Sequence, residues 1–232
     1  MEIWLMLLFL AGIVSMDTTS GPQALISEPL VSCSLVGMLL GMPGEGLLMG
    51  LLFQMLWFDY MPLGAVRLTD NNMASFISTA SLLMAAKMYG FEDSILRAAI
   101  LPSMIFGIGV GLSGLYLNDF IRKRNGRRSE EIIASVEQGS LPAIMVKHWA
   151  GIGSSFLKGV LMALVFVPVG AYICGLVRFF PYKTISALGI GSYLIWGTVI
   201  ASALHFYWQY SRKKYFIIGS MGGIIWLFFS VK

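Results

Sequence analysis

The chain has 232 residues, 57% of them hydrophobic and 12% charged, with a formal charge of +4 and a mean hydropathy of +0.77. A soluble domain carries about a quarter charged residues, so the deficit, together with several long apolar runs, excludes an ordinary water-soluble globule and points to the bilayer. Much of the basic charge sits in two clusters, "RKRNGRR" (122–128) and "RKK" (212–214), which in a membrane protein mark cytoplasmic loops rather than a nucleic-acid surface.

Residues 3–15 form a first apolar segment. It lacks a basic n-region, carries Glu2 and ends without a clear cleavage site, so it reads as a retained membrane segment rather than a signal peptide. Residues 30–41 and 47–58 are two further apolar segments separated by the Pro/Gly break "MPGEG". Each is shorter than the roughly 20 residues a straight span needs. The pair therefore reads as a re-entrant hairpin (30–58) or one discontinuous helix, backbone tolerated at membrane depth only where protein or a polar cavity satisfies it.

A polar stretch, 59–72, precedes an apolar segment, 73–90, that opens with "TDNN". Residues 95–117 are long enough to cross, contain Pro102, and carry a "GIGVGLSG" row (107–114) suited to close helix packing. Residues 118–150 are the most polar part and read as a cytoplasmic basic loop with a short helix. Spans at 155–177 (with Pro168 inside), 186–207 and 215–230 complete the chain. Placing both basic clusters inside puts 178–183 and "FEDS" (91–94) outside and 59–72 near the inner face. The expected fold class is an all-α integral membrane protein of 1–232, a single membrane domain with no visible repeat.

No enzyme motif is present: no P-loop, no GxSxG, and no HExxH around His148 or His205, which read as interfacial or packed imidazoles. No catalytic residue, cofactor or metal is expected. Cys33 and Cys174 lie in apolar segments without CxxC spacing and read as small buried residues, a disulfide being the unsupported alternative.

Polar groups at membrane depth are the usual pointer to function. The richest group is Gln54, Asp59, Asp70, Asn71 and Asn72, with Arg67 nearby and Trp57 and Tyr60 interleaved. Carboxylates and amides offer the donors and acceptors a polyhydroxyl ligand needs, and an aromatic face can cover the apolar side of a sugar ring. Structural roles compete with this reading. Asp70 or Asn72 is a natural N-cap for the following helix, Arg67 is placed to offset Asp59 or Asp70, and Trp57 and Tyr60 suit an interface belt.

The stretch "EPLVSCSLVGMLLGMPGEGLLMGLLFQMLWFDYMPLGAVRLTDNNMASFIST" (28–79) resembles the IIC component of the mannose/fructose/sorbose family of bacterial phosphotransferase-system permeases. The later "ALGIGSYLIWGTVIAS" (187–202) is similar to that family's Gly-rich penultimate span. Val31 to Gly41, Met55, Met61, Gly64, Ala65, Asp70, Ala74 and Ser75 fit the pattern. Gln54 stands where the family has Glu, Pro62 where Asn is common and Thr69 where Pro precedes the Asp; Asp59 and Arg67 are extra charges.

The resemblance implies a mannose-type IIC architecture in the bacterial plasma (inner) membrane. It also implies a membrane IID partner in a trimer of heterodimers, and a hexose phosphorylated by soluble IIA and IIB proteins at the expense of phosphoenolpyruvate, IIC itself carrying no phosphohistidine. On this expectation Gln54, Asp70, Asn71, Asn72 and Asp59 bind sugar hydroxyls, with Trp57 or Tyr60 as a ring platform. The competing expectations are a degenerate subunit that scaffolds or regulates without transporting, motivated by positions 54, 62 and 69, and an ion- or proton-coupled transporter using Asp59 and Asp70.

Overall fold

The computed structural model describes residues 2–58, 69–137 and 141–209. Over these residues the chain forms α1 (Glu2–Thr19), α2 (Pro29–Leu40), α3 (Pro43–Leu56), α4 (Asn71–Tyr89), α5 (Asp93–Glu137), α6 (Leu141–Leu176) and α7 (Tyr182–Gln209), with a short 3-10 turn at Val177–Phe179. No strand occurs among the described residues. A helix satisfies its own backbone groups, which a bilayer requires.

Among the described residues, three helices are long and apolar enough to cross a membrane: Asp93–Glu130, Met145–Phe179 and Tyr182–Ser202. They contain or overlap the expected spans at 95–117, 155–177 and 186–207. The expected span 215–230 and the RKK cluster lie outside the described residues, as does the polar stretch 59–68.

The short segments on either side of "MPGEG" fold as a tight helical hairpin, α2 against α3. Gly41 ends α2 in the left-handed region (φ 81°), and the following N–H of Met42 returns to Gly37 O at 2.8 Å, a helix stop that a residue with a Cβ resists. Pro43 then opens α3, where a missing N–H costs nothing. The arms touch backbone to backbone: a Cβ on Gly46 would lie 2.6 Å from Cys33 O and from Gly37 Cα. Lys87 of α4 ties the hairpin tip by donating to Leu40 O at 3.1 Å.

The centre of the molecule is α4, whose residues from Met73 to Leu83 are all buried. It packs against α1, α2, α3, α5 and α6, and small and hydroxyl side chains recur among its larger apolar ones. Ser78 Oγ donates to Ser103 O of α5 at 2.7 Å, and Ser81 Oγ to Val167 O of α6 at 3.4 Å. The glycine row of α5 makes its seam with α4, since a Cβ on Gly107 would meet Ser78 Cβ at 2.7 Å. Cys33 and Cys174 are both free and buried.

One expectation differs from the structure. The polar stretch 118–150, read as a loop with a short helix, is helical over its described residues, with α5 running on to Glu137 and α6 starting at Leu141. Low hydropathy marks where the bilayer is left, not where a helix stops. Arg, Lys and Glu are strong helix formers, and pairs such as Lys123–Asp119 (3.0 Å, i,i+4) support the exposed turns.

Candidate functional site

The N-terminus of α4 organises the site. Asp70 is its N-cap, with Oδ1 accepting from Met73 N at 3.3 Å. Its own N–H donates to Gly111 O of α5 at 3.0 Å. Gly114 allows that approach, because a Cβ there would lie 2.5 Å from Asp70 Cβ. Of the two cap candidates Asp70 is therefore the cap. Asn72 instead sends Nδ2 to Thr18 Oγ1 of α1 at 3.3 Å.

Asp70 is also half of a buried ion pair. Lys158, from α6, donates to Asp70 Oδ2 at 2.6 Å, the two side chains being 4% and 1% exposed. Asn118 of α5 closes the triangle, accepting from Lys158 Nζ at 2.8 Å and donating Nδ2 to Asp70 Oδ2 at 3.3 Å. Two charges taken out of water are tolerated only when geometry is good and the remaining lone pairs and protons find partners, which Asn118 and the Met73 N–H supply. The counter-charge of Asp70 is thus Lys158; Arg67, expected in that role for Asp59 or Asp70, lies outside the described residues.

The second half of the site comes from the hairpin base. Gln54 of α3 accepts from Leu30 N at 3.2 Å through Oε1 and donates through Nε2 to Glu28 Oε2 at 2.9 Å. Leu30 is in the first turn of α2, where N–H groups lack helical partners. Glu28 occupies the N-cap position of α2 but makes no side-chain cap bond; Gln54 supplies the acceptor in its place. Trp57, at the end of α3, donates its indole N–H to Ser75 Oγ of α4 at 3.3 Å.

Between these groups lies a cavity of about 290 Å³, lined by Glu28, Gln54 and Trp57 of the hairpin region, by Thr69, Asp70, Asn71 and Asn72 at the start of α4, by Asp17 and Thr18 of α1, by Asn118 and Arg122 of α5, and by the 23–29 loop. It sits near the lower end of the roughly 300–1,000 Å³ found for small-molecule sites. The loop is held by Asp17, whose Oδ1 accepts from Ala24 N at 2.6 Å and whose Oδ2 accepts from Ser27 N at 3.0 Å. It carries Gln23 and Leu25 at φ 53° and 63°, a left-handed conformation rare outside glycine. Asn71 Oδ1 accepts from Thr69 Oγ1 at 2.5 Å, while Asn71 Nδ2 is buried without a partner.

Five of the seven residues singled out in the sequence (Gln54, Trp57, Asp70, Asn71 and Asn72) line this one cavity. Asp59 and Tyr60 fall outside the described residues. Sequence reasoning missed Glu28, Asp17, Asn118 and Lys158. The signal was present for Lys158, a lone lysine inside an otherwise apolar run, a position where charge is rare and meaningful. His148 and His205 are exposed and away from the cavity.

The chain matches, over residues 2–226, the family described as the sorbose-specific IIC component of the phosphotransferase system. It is 25% identical over 137 residues to the mannose-specific EIIC component of Escherichia coli strain K12. That alignment covers 59% of the chain and 46% of the relative, so the chain spans about half the length of the curated relatives it matches. It is 33% identical over 57 residues to the sorbose-specific EIIC component of Lacticaseibacillus casei, 25% of the chain and 21% of that relative.

Among solved structures, one described only as a membrane protein aligns with TM-score 0.69 at 18% identity, covering 99% of the chain and 95% of its own. A structure of the mannose transporter ManYZ in complex with a microcin aligns with TM-score 0.57 at 19% identity, covering 97% and 94%. With its apolar helices and this family match, the chain is a multi-pass plasma-membrane protein that belongs to the sorbose-specific IIC component family of the phosphotransferase system.

Proposed function

We propose that the chain is the sugar-permease subunit of a phosphoenolpyruvate-dependent phosphotransferase system, binding a hexose in the cavity between the α2–α3 hairpin and the start of α4. The observation that carries this reading is the lining of that cavity. Inside an apolar helical protein of this family, amides, carboxylates and an indole converge on one small space, and buried Asn71 Nδ2 lacks an acceptor. A sugar hydroxyl accepts and donates at once, so it answers both kinds of group.

Gln54, Asp70, Asn71 and Asn72 form the polar lining and Trp57 the ring platform, with Asp59 and Tyr60 assigned to the same site from the sequence. The hairpin 30–58 is re-entrant and moves the site between membrane faces. The helical arms of α5 and α6 around 118–150 face the cytoplasm, toward IIA and IIB phosphocarriers. A IID subunit covers exposed apolar helix faces in a trimer of heterodimers.

Uptake of labelled hexose by cells expressing the chain with its IID partner tests the reading. Uptake that requires phosphoenolpyruvate and falls at least tenfold in Asn71→Ala is the expected result. No uptake of any hexose, or uptake that collapses with the ion gradient instead, removes it.

A second reading is favoured by the engagement of Gln54 and Asp70 within the fold itself: a membrane subunit that assembles with the complex but does not transport. It predicts normal partner assembly and no hexose uptake or binding.

A further inference from the structure

Three carboxylates of described residues line the cavity, Asp17, Glu28 and Asp70, and the fold treats them differently. Both oxygens of Asp17 are taken by the N–H groups of the 24–27 turn. Both oxygens of Asp70 are taken, one by the cap of α4 and the other by Lys158 and Asn118. Among the described residues Glu28 has a single side-chain bond, from Gln54 Nε2 to Oε2.

Glu28 also occupies the N-cap position of α2 without making a side-chain cap bond. At an N-cap, a side-chain oxygen accepts from the first turn of its own helix. Here Gln54 reaches across from α3 to accept from Leu30 N, so the Glu28 carboxylate is released from capping. The same amide donates to one Glu28 oxygen, which sets the orientation of the carboxylate. Only a neutral amide of this length does both: a carboxylate at 54 would accept from Leu30 but would confront Glu28 across 2.9 Å with no proton to share.

We infer that Glu28 is the charged ligand-binding residue of this cavity, its unengaged oxygen accepting from a sugar hydroxyl, and that Gln54 is a positioning residue that acts through Glu28 rather than on the sugar. This rests on the sugar-site reading above, and it assigns a role that the departure at position 54 left unexplained. A charge-assisted hydrogen bond of this kind is worth about ten- to a hundredfold in affinity.

The test uses the full chain purified in lipid nanodiscs, titrated with mannose, fructose and sorbose, with thermal unfolding measured in parallel. Glu28→Gln should weaken binding of the preferred sugar about ten- to a hundredfold with little change in unfolding temperature, because a glutamine still accepts from Gln54. Gln54→Glu should lower both affinity and unfolding temperature. The double variant Glu28→Gln/Gln54→Glu rebuilds one amide–carboxylate pair with the charge on the wrong side. It should recover the unfolding temperature but not the affinity.

Recovery of affinity in the double variant would mean that the pair serves the fold alone, and overturns the assignment. Unchanged affinity in Glu28→Gln overturns it as well, while leaving sugar binding standing. Failure of the unaltered chain to bind any of the three sugars removes the permease reading, and the role of Glu28 with it.

Discussion

At the scale of single residues, the strongest consequence concerns Lys158. Its ammonium and the Asp70 carboxylate are both almost wholly buried and lie 2.6 Å apart. Such a pair adds little net stability over a well-packed apolar pair, yet removing one partner strands the other charge. Lys158→Met should therefore destabilise the protein by about 3–5 kcal/mol, seen as a large drop in thermal unfolding temperature in detergent. Lys158→Met/Asp70→Asn should recover part of that loss, because an amide still caps α4 and carries no charge; equal losses in single and double variants would contradict the pairing. Asp70 was legible in the sequence as polar and as a cap, since capping is local. Its pairing with Lys158 was not, because the two lie 88 residues apart and only the packing of α4 on α6 brings them within reach.

At the scale of elements, the α2–α3 hairpin is held by backbone proximity. Gly46→Val introduces a branched side chain where even a Cβ would lie 2.6 Å from Cys33 O and Gly37 Cα. Overpacking costs typically about 1–3 kcal/mol, and more is expected when the obstacle is backbone, so this variant should unfold at markedly lower temperature. Gly44→Ala is the control on the same helix: nothing lies within 4 Å of its Cβ position, and better helix propensity should leave stability equal or up to about 1 kcal/mol higher. The hairpin was readable because two half-length apolar runs around Pro and Gly leave few alternatives. The extended ends of α5 and α6 were misread because hydropathy was allowed to stand for secondary structure, two quantities that part company wherever a helix leaves the bilayer.

At the scale of the whole molecule, the proposed topology puts the basic arm of α5 in the cytoplasm, because Lys and Arg are in excess near the cytoplasmic ends of spans. Lys123 is 72% exposed on that arm. Lys123→Cys, in a background with Cys33 and Cys174 replaced by serine or alanine, should react with a membrane-impermeant maleimide in inside-out vesicles and not in intact cells. Labelling from the outside would invert the proposed topology, and with it the face assigned to the proposed IIA and IIB partners.

By itself the sequence determined the properties that are sums along the chain. Membrane residence comes from the shortage of charge, the apolar parts of the spans come from the length of apolar runs, and the hairpin comes from Pro43 and the flanking glycines. The family resemblance also rests on contiguous residues, 28–79. The tertiary structure decided which polar groups bind one another. It gave Asp70 to Lys158, the Leu30 N–H to Gln54 and the loop amides to Asp17, leaving Glu28 with an unengaged oxygen and Asn71 with an unpartnered amide. Hydropathy and helix signals are additive over neighbours in sequence and so survive being read in one dimension. Hydrogen bonds and ion pairs depend on ångström distances between separate helices, and those distances exist only once the helices have packed.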